Sequence, residues 1–310
     1  MVLLKDIGER QLIKDFRSFI RTAGVVGPGD DAAILDGGIV ITTDSVSFKR
    51  HFPKGMTYEQ FGWYAAAVNF SDLAAMGARP TGILAALSLD EDMESQDVYD
   101  IMSGISQCAE FCQTGIVGGD TKPGYGTVAC TAIGSMDGRK PMLRSGAKPG
   151  DLVAVTGPVG GPAAGLAAIE YGIDNEDAKN SLYLPVPRVE TGMKLASLGL
   201  VTSCIDLSDG LGTAANILCE DSGVGMDIGT EFVPVSGCVK PVSKETGIPV
   251  FDLIFRFGGE YELLFTFGKD RIDELHSAEI DFSVIGMVND SGKAEAVKGE
   301  DRREIGYGRY

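Results

Sequence analysis

From Trp63 to Met76 the chain is almost wholly apolar at helical length, with Ala65, Ala66, Ala67, Val68, Phe70 and Leu73 in close succession. A helix without a polar face has to be wrapped by the rest of the protein. Yet it carries Asn69 and Asp72, three residues apart and so on one face. A buried carboxylate must be paired or metal-bound. The stretch therefore predicts a core helix with a charged group inside the fold, held either by a salt bridge or by a cation.

Six more aspartates sit in segments rich in Gly, Ser and Thr, where predicted strands or helices end: Asp30, Asp31, Asp44, Asp120, Asp206 and Asp209. Each has an ordinary explanation by itself. Gly27-Pro28-Gly29 before Asp30-Asp31 is turn composition. Asp44 after Thr42-Thr43 is a strand end, and a bare Gly118-Gly119-Asp120-Thr121 says little. Ser208 or Asp209 can cap a helix. Asp206 and Asp209, with Ser208 between them at a helix mouth, can also hold a metal against a phosphate bound by backbone N–H groups. The repetition of one device along one chain points to hard divalent cations, which prefer oxygen ligands; Mg²⁺ usually arrives with substrate phosphates. That chemistry is phosphoryl transfer. Arg144 is the clearest basic candidate for a nucleotide phosphate, since a guanidinium can grip two oxygens.

Other classes are disfavoured. With Lys+Arg 27 against Asp+Glu 44 the net charge is −17, the wrong sign for a duplex nucleic-acid binder. The 6 cysteines form no CxxC pair and only 2 histidines are present, so buried reduced thiols of a cytoplasmic protein are expected rather than a zinc site. No signal peptide is expected at the N-terminus. The uncharged run Leu152–Ile169 is broken by Gly157, Pro158, Gly160, Gly161, Pro162 and Gly165. It reads as strand, glycine loop and helix rather than as a membrane span. That loop matches neither a Walker A motif nor GxGxxG, and no Ser-His triad is apparent.

The 310 residues are long for one core, so two domains are expected, 1–143 and 144–310, joined at the connector RSGAKPGD. In the first, a helix is predicted over Lys5–Arg21 with an apolar stripe at Leu12, Ile13, Phe16, Phe19 and Ile20. Strands at 32–35 and 38–43 follow. A helix opens at Thr57, where Gln60 completes capping-box spacing, and ends before Pro80. Strand 81–89, helix 95–113 and strands 115–117 and 127–135 complete this half. The second half reads as strands near 152–156, 201–206, 225–228, 262–267 and 282–288, with helices after the glycine loop, at 189–198 and at 211–221. A groove between the halves is the natural place for the site.

Taken together, GDDAAIL, TTDSVS followed by His51, AVNFSDLAAMGARP, GGDT, RSGAKPGD, TGPVGG, DLSDGL and FGGEYELLF resemble thiamine-monophosphate kinase in order and spacing, over nearly the whole chain. That family belongs to the superfamily of aminoimidazole ribonucleotide synthetase, selenophosphate synthetase and the hydrogenase-maturation dehydratase. The resemblance implies an α+β, two-domain aminoimidazole ribonucleotide synthetase-like fold, with an N-terminal half-barrel sheet domain and an α+β C-terminal domain. It implies a homodimer in which the N-terminal strands of two subunits share a barrel. It implies ATP as phosphoryl donor and several Mg²⁺ ions at Asp30, Thr43, Asp44, Asp72, Asp120, Asp206 and Asp209. Of these, Asp44, Asp72, Asp120 and Asp209 are the expected catalytic residues. Nucleotide contacts fall on Gly119, Asp120, Arg144 and Ser208, and acceptor contacts on His51, Glu260 and Tyr307. The chain departs from the family at three places. Met102 stands where a tyrosine is common, GGEYEL is one residue shorter than GGEDYEL so that Glu262 rivals Glu260, and Tyr310 rivals Tyr307. The alternatives are another ATP-using enzyme of the superfamily and a non-catalytic nucleotide-binding regulator.

Overall fold

The computed structural model describes residues 7 and 9–308. Its first part contains helix α1 (Glu9–Arg17), strands β1 (Ala33–Leu35) and β2 (Ile39–Ser47), a single turn α2 (Phe48–His51), helix α3 (Tyr58–Met76), β3 (Arg79–Leu89), helix α4 (Ser95–Phe111), β4 (Ile116–Pro123) and β5 (Thr127–Ser135). The strands form one sheet in the order β1-β2-β5-β3-β4. Neighbours are antiparallel except β3 and β4.

The second part contains β6 (Leu152–Val155), α5 (Gly161–Tyr171), α6 (Glu176–Tyr183), α7 (Val189–Leu198), β7 (Val201–Asp206), α8 (Leu211–Ser222), β8 (Gly225–Gly229), α9 (Val239–Thr246), α10 (Val250–Phe255), β9 (Leu263–Phe267), α11 (Ile272–Ser277), β10 (Ser283–Asn289), β11 (Ala294–Lys298) and β12 (Asp301–Glu304). Its seven-stranded sheet runs β12-β11-β8-β10-β6-β9-β7. The fold is thus α+β, with one sheet in each part.

The apolar helix is α3. Thr57 Oγ1 accepts the Gln60 amide and Gln60 Oε1 accepts the Thr57 amide, the capping box that the spacing predicts. The helix ends at Gly77 in the left-handed conformation. Gly62 lets α4 cross closely, because a Cβ there would lie 1.9 Å from the Ile101 carbonyl oxygen. Phe61, Phe70, Leu73 and Met76 are fully buried, in one cluster with Leu263, Phe265 and Phe267 of the second sheet. Each large side chain so buried contributes roughly 1.5–3 kcal/mol. The helix is therefore the seam between the two parts.

Several boundaries differ from expectation. β2 runs on through Asp44 to Ser47, and β4 through Gly119 and Asp120 to Pro123. These acids lie inside strands, since backbone pairing continues whatever an exposed side chain carries. β3 starts at Arg79 and absorbs Pro80 through a register shift between Pro80 and Gly82. Helices α6, α9, α10 and α11 and strands β11 and β12 are short elements that hydrophobic periodicity did not single out. α1 stops at Arg17, and Ile13, Phe16, Phe19 and Ile20 are exposed rather than packed. The predicted start of that helix at Lys5 lies outside the described residues.

Candidate active site

The site forms where α3 passes between the sheets. Asp72 comes from α3, Asp206 from the end of β7, and Asp31 from the turn before β1. One carboxylate oxygen from each lies within 4.8 Å of the others. Thr42 Oγ1 donates to Asp72 at 2.5 Å, and Ser71 Oγ donates to Asp206 at 2.6 Å. Asn69, wholly buried, accepts the Asp44 amide at 2.9 Å and donates to the Ala65 carbonyl at 3.0 Å. The shared face of Asn69 and Asp72 thus clamps β2 and aims a carboxylate at the seam.

In the Asp30-Asp31 pair, it is the second acid that enters the cluster. Asp30 accepts the backbone amides of Asp31 at 3.1 Å and Arg144 at 3.2 Å, and so shapes the turn. Arg144 reaches Asp31 Oδ1 from Nε at 3.2 Å and Nη2 at 2.7 Å. Asp31 Oδ2 is buried without a hydrogen-bond partner. An orphaned carboxylate oxygen beside two other carboxylates is chemically suited to a cation. Oxygen-only donors suit Mg²⁺ or another hard divalent ion.

The electrostatics agree. Burial, followed by the charge of Asp31, pushes the Asp206 carboxyl up to about 7. The same two causes push Asp30 up to about 6. Burial is the first cause for Asp31, and for Asp72, which the charges of Asp206, Asp44 and Asp31 raise further. Asp44 and Asp209 also raise the Tyr64 phenol after its burial does. These acids act in one field. Two charges at the cluster's separation repel by about 3 kcal/mol at an effective dielectric near 20.

Beside the carboxylates runs an aromatic line. His51 stacks on Tyr64 with ring centroids 6.2 Å apart, and the Tyr64 hydroxyl meets that of Tyr261 at 3.1 Å. His51 Nδ1 accepts the Ser47 amide at 3.0 Å, and burial lowers its pKa, so the ring is neutral near pH 7. Next to Tyr261, Glu260 Oε1 accepts the Gly160 amide at 2.9 Å while Oε2 is buried without a partner. Burial pushes this carboxyl up to about 8. Glu262 is committed elsewhere, to Arg188 at 2.8 and 2.5 Å and to Thr156 at 2.7 Å. Of the two rivals only Glu260 keeps an oxygen to offer. Glu262→Gln should therefore act on the fold, lowering stability by roughly 3–5 kcal/mol in denaturant titrations.

Ser208 hydrogen-bonds Asp206, and α8 begins at Gly210 without a side-chain cap, so neither Ser208 nor Asp209 serves as a simple helix cap. Gly210 takes φ +86°, and a Cβ there would lie 2.1 Å from the Phe257 carbonyl oxygen. That close approach seats the DLSDG turn against the loop carrying Glu260.

Other expected residues stand apart within one chain. Thr43 donates to the Cys130 carbonyl at 2.9 Å and accepts from Thr131 at 3.0 Å, on the sheet face opposite Thr42. Gly119 and Asp120 lie on β4, three strands from β2, so roughly 14 Å from Asp44. The Tyr307 hydroxyl donates to Glu220 near the far end of α8, while the backbone of the next residue, Gly308, lies beside Asp209 and donates to Thr213 at the start of that helix. Met102 is half-buried against the core on α4. Tyr310 lies outside the described residues. Sequence reasoning missed the roles of Thr42, Ser71, Tyr64 and Tyr261. Only Ser71, adjacent to Asp72, carried a local signal.

Residues 29–136 match the model of the AIR synthase related protein, N-terminal domain, and residues 148–299 match that of its C-terminal domain. The chain belongs to the AIR synthase related family. It is 36% identical over 247 residues to the thiamine-monophosphate kinase of Methanopyrus kandleri, covering 79% of each chain. Identity to that of Pyrococcus abyssi is 34% over 286 residues, covering 89% of this chain and 87% of the relative. The solved structure of AaThiL complexed with AMPPCP and TMP matches with a TM-score of 0.86 at 27% identity, covering 98% of both chains. Within the family the chain groups with the thiamine-monophosphate kinases, and it is an enzyme of that kinase class.

Proposed function

We propose that the protein transfers the γ-phosphoryl group of ATP directly, in line, onto the phosphate of thiamine monophosphate, giving thiamine diphosphate and ADP. The observation that carries this reading is the cluster of buried Asp31 and Asp206 with half-buried Asp72, and its orphaned oxygen. Asp31, Asp72 and Asp206 would hold one Mg²⁺, with Asp31 in the place expected for Asp30, and Asp44 and Asp209 would serve further ions. Bound Mg²⁺ supplies neutralisation of the negative charge shared by donor and acceptor phosphates.

The chain's own groups position the reactants. A phosphate monoester has its second pKa near 6, so the acceptor is largely a dianion at neutral pH and needs no general base. That suits a neutral His51 whose Nδ1 is already engaged. His51, Tyr64 and Tyr261 offer a wall for the flat rings of the acceptor, and Glu260 an oxygen for its cationic thiazolium. Arg144, Ser208 and the amides at the start of α8 face the phosphates.

The same reading takes the chain as a cytoplasmic homodimer with a domain boundary at 143/144 and no nucleic-acid partner. All six cysteines are buried and free, as in a reducing compartment. No described helix is long and apolar enough to cross a membrane. β4 is an edge strand with seven of its eight residues exposed, and α1 exposes Phe16 at 45%, with Phe19 just beyond it at 71%. Closing two such half-barrels on each other would cover these surfaces and carry Asp120 of the partner subunit toward Asp44. Sedimentation at micromolar concentration should give twice the 32.7-kDa chain mass, and a lone 32.7-kDa species would refute the dimer.

The activity is tested by incubating the protein with Mg²⁺, thiamine monophosphate and ATP made chiral at the γ-phosphorus. Thiamine diphosphate and ADP should appear in equal amounts, with inversion at phosphorus. Retention would refute direct transfer, and ATP binding without turnover would favour a regulator.

A further inference from the structure

At the opposite edge of the seven-stranded sheet from Asp206, a cavity of about 720 Å³ opens among β11, β12, α9 and α10. In the sheet β11 lies five strands from β7, and none of the residues lining the cavity belongs to the carboxylate cluster, although Phe255 of its wall abuts Gly212 at the start of α8. Its volume is within the range of small-molecule sites. The wall is apolar, built from Val233, Val235, Val250, Ile254, Phe255 and Ala296. Its rim is basic, in a chain whose net charge is −17.

Four cations line it, Lys240, Lys298, Arg302 and Arg303, against two carboxylates, Glu231 and Asp301. Arg302 is committed to Asp227 and Glu295. Lys240, Lys298 and Arg303 make no hydrogen bond or ion pair through their side chains among the described residues. The Arg303 guanidinium instead lies 3.9 Å over the Phe251 ring, which also lines the cavity. A stacked guanidinium presents a flat, weakly hydrated surface on which another ring can lie. Two unpaired ammonium groups beside it suit a doubly charged head group.

We infer that this cavity is a second ligand site, distinct from the carboxylate cluster, that takes a small aromatic phosphate monoester. The flat ring lies against Phe251, Arg303 and the apolar wall, and the phosphate dianion sits between Lys240 and Lys298. A neutral ring forgoes the ammonium groups, and a bare phosphate forgoes the apolar wall, so neither alone binds well. The inference does not rest on the proposed kinase reaction.

The test is calorimetric titration of the whole protein with 1-naphthyl phosphate, compared with 1-naphthol and with inorganic phosphate. Saturable binding that depends on Lys240 and Lys298 is expected in the parent, with both comparison compounds bound about tenfold or more weakly. Lys240 and Lys298 are exposed, so the Lys240→Ala/Lys298→Ala double variant should fold normally and lose about tenfold or more in affinity. Phe251→Ala is expected to weaken binding as well, while Asp72→Asn, which alters only the carboxylate cluster, should keep it. Absence of saturable binding, unchanged affinity in the lysine double variant, or loss of binding in Asp72→Asn would overturn the inference.

Discussion

Asp72→Asn is expected to separate activity from stability. Formation of thiamine diphosphate should fall by roughly a hundredfold or more, because a preorganised charge at the reacting phosphates is lost. Melting of the metal-free protein at pH 8 should move the other way, upward by a few degrees. Asp72 stands among carboxylates held within 4.8 Å, and burial and the neighbouring charges both raise its pKa. Removing one of several mutually repelling charges relieves about 1–3 kcal/mol. Thr42 can still donate to the amide oxygen, so the local hydrogen bond survives. The measurement is kcat beside a melting curve in EDTA. Full turnover, or a variant that melts below its parent, would contradict the assignment of this acid to a cation site.

The second large effect is a stability that falls as pH rises and is recovered by metal. Asp206 is pushed from 3.8 up to about 7 and Glu260 from 4.5 up to about 8, in both cases first by burial. Between the unfolded and folded values the native state holds more protons than the unfolded one. Stability therefore declines with rising pH across this window. A tenfold difference in proton affinity between the folded and unfolded chain is worth about 1.4 kcal/mol. The decline from about pH 4 to about pH 8 should therefore amount to several kcal/mol in EDTA. Mg²⁺ binds the ionised carboxylates of the native state, so its stabilising effect should be largest near pH 8 and smallest near pH 5. Melting temperatures in EDTA and in Mg²⁺ across this range read both effects. A metal-free protein that gains stability steadily up to pH 8 would remove the electrostatic account of the cluster.

The structure bears on the sequence reading unevenly, for reasons visible at single residues. The capping box at Thr57, the end of α3 before Pro80 and the common face of Asn69 and Asp72 follow from local spacing, and they hold. The choice between Asp30 and Asp31 did not follow. Neighbouring carboxylates in a turn look alike until the backbone aims one at Arg144's amide and the other at the seam. What distinguishes Glu262 from Glu260 is Arg188, which engages Glu262 from 74 residues away. The cavity beside Phe251 left no trace in the hydrophobic pattern, because short α9, α10, β11 and β12 each contribute only a few residues to it.

What the amino acids determined unaided was a buried apolar helix, an oxygen-rich acidic site and the motif order of one family. Helical periodicity, the cost of isolated buried charge and ligand hardness all act within a few residues of chain. The tertiary structure alone decided which carboxylates meet, which oxygens stay unpartnered and which expected ligands, Thr43 and Asp120 among them, face elsewhere within one subunit. Those outcomes depend on strand register and on contacts between segments more than a hundred residues apart, such as Ser71 with Asp206, which no local pattern encodes.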